Sequence, residues 1–129
     1  MRTVITRRTA AGVLAAAGIL HGMIAPEYLS ERPYIGALFA LSVPLTLAVA
    51  TMLWVRDDVR AWAAGAALAA GMAVAFVLSR TTGLPSFHEH NWVEGIPTLV
   101  AEAAFLVLAA PTVLARRMKV VGTGAVPAR

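Results

Sequence analysis

Four long apolar runs, each closed by a short polar cluster, set the rhythm of the chain. Between Arg8 and Glu27, the eighteen residues from Thr9 to Pro26 carry no formal charge. A helix of that length roughly spans the ~30 Å hydrocarbon core of a bilayer. The pattern therefore predicts a first helix over 9–26. Its basic start also matches a secretory leader. The run is long for a leader, however, and no small-x-small site precedes Pro26, so a retained helix is expected. The segment PEYLSERP, bounded by Pro26 and Pro33, reads as a polar turn, since each proline can end or start a helix. A second helix follows over 34–55, twenty-two charge-free residues with Pro44 near the middle, where a kink is expected.

WVRDDVRAW packs Arg56, Asp57, Asp58 and Arg60 between Trp54 and Trp62, the signature of a tight turn at a membrane surface. Helix three is predicted over 61–79 and helix four over 95–115, joined by a polar loop over 80–94. The residues over 116–129 form a basic tail that is expected to fray. The fold class is thus an all-α membrane protein, four transmembrane helices in an up-down bundle over residues 1–115. Small residues should let the helices approach closely: Gly18 and Gly22 in helix one, and Ala61, Gly65, Ala69, Gly71 and Ala75 in helix three.

Composition agrees with the pattern. The chain is 59% hydrophobic with mean hydropathy +0.73, against roughly 45–50% apolar residues in a soluble domain. Cysteine is absent, which excludes disulfides, thiolate metal sites and thiol nucleophiles. A net charge of +4 is not a nucleic-acid signature here, because the basic residues punctuate apolar runs instead of clustering on a soluble face. They set topology instead: placing both termini and the 56–60 turn on one side gathers nine of the eleven Lys and Arg there, leaving Arg32 and Arg80 opposite. That side is expected to be cytoplasmic, in a multi-pass protein of the bacterial plasma membrane. All three Trp and both Tyr fall at predicted helix ends, as an aromatic belt would.

Candidate chemistry collects on the other face. His21 lies five residues before Pro26 and Glu102 five after Pro97, so each should sit about 7 Å below the surface, at matching depth. Glu94, Thr98 and Glu102 are spaced to share one helix face. Arg80, Glu27, His88, Glu89 and His90 stand above them, so every histidine is on this side. Glu102 in hydrocarbon needs a partner, either Arg80 or His21, or it forms with His21 the floor of a pocket roofed by the loop. His88-Glu89-His90 in extended backbone presents both imidazoles on one side. With Glu94 and His21 it offers nitrogen and oxygen ligands suited to copper or zinc. Ser42 and Thr46, flanking Pro44, are expected to bond backbone carbonyls at the kink. Polar groups through the inner half are too few for a proton path, and a bis-histidine haem would need a second helical histidine.

At PEYLSERPYIG, again at VLSRTTGLP, and at the Glu of VAEAAFL, the chain resembles small four-helix integral membrane proteins of high-GC bacteria. The resemblance implies the architecture and no activity. Three functional readings stay open. One is a metal-binding protein using His88, His90, Glu94 and His21, with Glu102, Arg80, Glu27 and Glu89 in support. Another is an accessory subunit of a larger, respiratory-type membrane assembly, or a homo-oligomer, embedded in the lipid bilayer. The third is a membrane enzyme acting on a lipid-soluble substrate through His21 and Glu102.

Overall fold

The computed structural model describes residues 3–123 and contains four helices: α1 Val4–Glu31, α2 Pro33–Val55, α3 Val59–Arg80 and α4 Ile96–Thr123. All four are long and apolar enough to cross a membrane. They form a bundle in which α1 packs on α2 and α4, and α3 packs on the same two. Large apolar side chains such as Leu38, Leu41, Val100 and Val107 cover its outside, as expected of helices solvated by lipid.

α1 extends five residues past Pro26, where a turn was expected. A proline inside a helix forfeits one backbone hydrogen bond. Packing beyond it outweighs that loss: Tyr28 is buried, and its ring stands edge-on to Phe39 and Phe87 at 5.1 and 5.7 Å. The corner is then made by Arg32 alone, in non-helical backbone, with Pro33 opening α2. Gly36 is required there because a Cβ would strike the backbone of Leu29.

The turn between α2 and α3 is closed by its two acids. Asp58 caps α3, its Oδ1 accepting from the Arg60 amide at 2.8 Å. Asp57 accepts from the Trp62 indole N–H at 2.7 Å. Trp62 does not belong to an interfacial belt: it is fully buried and stacked on Phe105 at 6.0 Å. With Leu14, Leu53, Ala61, Ala69 and Ala109 it forms a solid apolar core toward this end.

Close approach rests on the expected glycines, with one exception. A Cβ on Gly18 would overlap the Thr46 hydroxyl, and one on Gly22 would touch Val43. Gly65 makes room for the Phe105 ring, whereas Gly71 faces open space and lines no interface. Beside Pro44, Ser42 donates to the Phe39 carbonyl and Thr46 to that of Ser42, both at 2.7 Å. Both hydroxyls flanking the proline are therefore satisfied by the helix backbone. α4 continues past 115 to Thr123, so the first part of the basic tail is helical; residues 124–129 lie outside the described residues.

Candidate functional site

The loop between α3 and α4 folds back over one end of the bundle. Leu84 and Phe87 exchange backbone hydrogen bonds of 2.7 and 2.9 Å across Pro85-Ser86, closing a tight turn. Ser86 has φ 56°, at the position where such turns require a positive value. The Glu89 amide donates to the Ser79 carbonyl at 2.9 Å, and Arg80 Nε donates to the Asn91 carbonyl at 3.1 Å. Tyr34 donates to the Pro85 carbonyl, which ties the loop to the start of α2.

Glu89 is the cap that organises this loop. Its Oε1 accepts from the amides of His90 and Asn91 at 2.8 and 3.0 Å, and its Oε2 from the Tyr28 hydroxyl at 3.4 Å. The Asn91 amide, then the His90 amide and the Arg80 charge, hold its carboxyl below the ordinary carboxylate range against a smaller opposing effect of burial.

Beneath the loop lies a cavity of about 110 Å³, lined from all four helices. Its walls are apolar and largely aromatic: Tyr28, Ile35, Phe39, Phe76 and Phe87, with Met72 and Ala75. Ser79, Arg80, Glu94 and Thr98 supply polar atoms, and His21 and Glu102 complete the lining. Both of the latter are buried, His21 at 5% and Glu102 at 1% exposure.

His21 Nδ1 lies 2.8 Å from the Ala17 carbonyl. A carbonyl oxygen only accepts, so Nδ1 carries the hydrogen, and in the neutral ring Nε2 presents a lone pair. Nε2 is 3.6 Å from Glu102 Oε1, beyond hydrogen-bond length. Glu102 Oε2 has no hydrogen-bond partner. A carboxyl oxygen so deeply buried is normally satisfied. Chemically the pair can accept hydrogen bonds from one small guest, or pass a proton through it.

The predicted site residues therefore separate. His21 and Glu102 come together at matching depth. Arg80 does not pair with Glu102; its guanidinium lies over the Phe76 ring at 4.0 Å and donates to Ser79 Oγ at 2.7 Å. The His88 and His90 rings stack on each other at 4.6 Å, both exposed. Glu94 is exposed at the cavity's edge, and Glu27 is exposed and outside the lining. Among the described residues no three His, Asp or Glu side chains gather as an ion would need, so His88, His90, Glu94 and His21 are not assembled into one ligand set. The physical reason is the loop's own bonding, which turns Glu89 inward as a cap and leaves the flanking imidazoles outside.

Sequence reasoning missed Tyr28, Phe39, Phe76 and Phe87 as walls. Tyr28 could have been found, because it follows His21 by seven residues and so shares its helix face. Comparison with known protein families, curated proteins and solved structures finds no match to the chain.

Proposed function

We propose that this is a small multi-pass membrane protein that binds a membrane-soluble small molecule in the cavity. The guest's hydroxyl or amine donates to Glu102 Oε2, beside His21. The observation that carries the reading is the orphaned Glu102 Oε2 in the cavity lining. An unsatisfied buried oxygen costs stability, and a guest donor supplies the missing partner. At about 110 Å³ the cavity is smaller than the roughly 150 Å³ apolar cavity that takes up benzene, so the guest is no larger than a single ring. The aromatic walls suit such a body and the acceptor pair sets its direction.

In this reading the chain is an up-down bundle in the bacterial plasma membrane with both termini cytoplasmic, and the cavity belongs to the extracytoplasmic half. The distribution of Lys and Arg supports that orientation. Contacts of Tyr34 with Pro85 and of Tyr28 with Glu89 support placing the first corner beside the loop.

The test is the melting temperature of the detergent-purified chain with phenol or benzene. Binding at one hundred times Kd stabilises by about 2.7 kcal/mol. Phenol is expected to raise the transition well beyond benzene, and Glu102→Leu to erase the difference. Equal shifts from both compounds, or a phenol effect that survives Glu102→Leu, would overturn the reading.

A further inference from the structure

At the opposite end of the bundle, the turn between α2 and α3 and the last third of α4 enclose an open cleft of about 960 Å³. Arg56, Arg60, Arg116 and Lys119 line it, together with Asp57 and Asp58. Its three guanidinium groups alone outnumber the two carboxylates, whose oxygens are directed to neutral donors: Asp57 accepts from the Trp62 indole and Asp58 from the Arg60 amide. Among the described residues no ion pair involves Arg56, Arg60 or Arg116. The cleft therefore carries an excess of positive charge in a concave setting, where guanidinium groups can take phosphate oxygens in pairs.

A second hollow of about 310 Å³ adjoins it, sharing Val59 and Arg116. Its other walls are Ala63, Val113, Val120 and Val121, with Arg117 at the edge. A cationic cleft running into an apolar furrow on the flank of two membrane helices is complementary to one amphiphile, with an anionic head and a hydrocarbon chain.

We infer that this end of the protein is a specific site for an anionic phospholipid. The phosphate is held by Arg56, Arg60 and Arg116, and an acyl chain lies along Val113 and Ala63 between α3 and α4. Free phosphate matches only the cleft and leaves the furrow unfilled, so the lipid is the occupant. Basic pockets between membrane helices bind such head groups, and each cation near the surface adds appreciably to the attraction.

Native mass spectrometry of the full chain in micelles tests this, with equal phosphatidylglycerol and phosphatidylcholine added. Phosphatidylglycerol adducts are expected to dominate in the unaltered protein. Replacing two of the cations in Arg60→Gln, Arg116→Gln should weaken its retention about tenfold or more. Ala63→Phe, which fills the furrow without changing charge, should weaken it as well, while both variants keep the wild-type helical circular dichroism. Equal retention of the two lipids would overturn the proposal. So would undiminished phosphatidylglycerol binding in either variant, or displacement of the lipid by millimolar inorganic phosphate, which would make the head group alone the ligand.

Discussion

Replacing Glu102 by leucine separates a binding residue from structural glue, because the two roles give opposite signs. Glu102 is 1% exposed, and its Oε2 has no partner. Leaving such an oxygen unsatisfied costs about 1–3 kcal/mol. What leucine would forfeit is the approach to His21 Nε2, at 3.6 Å too long for a hydrogen bond. Side-chain contacts between membrane helices average about 0.6 kcal/mol even when well formed. His21 keeps its bond to Ala17, and the isobutyl group meets an apolar wall. The expected net effect is stabilisation by about 1–2 kcal/mol in the ligand-free protein. Had Glu102 been one half of a structural buried pair, breaking it would cost about 3–5 kcal/mol. Reversible unfolding in mixed micelles of dodecyl maltoside and sodium dodecyl sulfate, followed by tryptophan fluorescence, to which the buried Trp62 contributes, measures the difference. Destabilisation by more than about 1 kcal/mol would refute the reasoning.

Two further outcomes follow from the packing and the loop. Gly18→Ala places a Cβ on the buried Thr46 hydroxyl and should cost about 1–3 kcal/mol in the same unfolding assay. Gly71→Ala meets nothing and should be neutral or gain up to about 1 kcal/mol of helix propensity; equal effects would sink the assignment of the α1–α2 contact. Because the folded state holds the Glu89 carboxyl below its ordinary value of 4.5, its contribution is complete at neutral pH and is lost as pH falls below that value. Hydrogen exchange at the His90 and Asn91 amides, corrected for intrinsic rates, should therefore quicken in acid. In Glu89→Gln that pH dependence should vanish, and the same acid quickening in that variant as in the unaltered chain would contradict it.

The four helices were legible because charge is so costly in hydrocarbon that each span must be nearly free of it. Their ends were less so. Pro26 reads as a stop from local chemistry, yet α1 passes through it because Tyr28 finds an aromatic slot formed by residues distant in sequence. The same ring contacts hid most of the cavity wall. Its floor was accessible in part: counting helical rise from Pro26 and Pro97 puts His21 and Glu102 at one depth, and the two do meet, although α1 runs on to Glu31 and Pro26 is not its end. The loop was not. Its path depends on the left-handed turn at Ser86 and on Glu89 capping its neighbours' amides, neither of which a His-x-His spacing reveals. Trp62 was misplaced for a related reason: a tryptophan at a helix end suits an interface, but this one has Asp57 for its N–H and Phe105 for its face, so it goes inside.

The claim that a small donor-bearing guest sits on the acceptor pair is tested most directly by nuclear magnetic resonance. The chain would be labelled at histidine ring nitrogens and glutamate carboxyl carbons, and phenol titrated in. Saturable shifts at His21 Nε2 and the Glu102 carboxyl carbon, with His88 and His90 unmoved, are the expected result. Shifts confined to the loop histidines, or none at a concentration where the melting temperature responds, would contradict it.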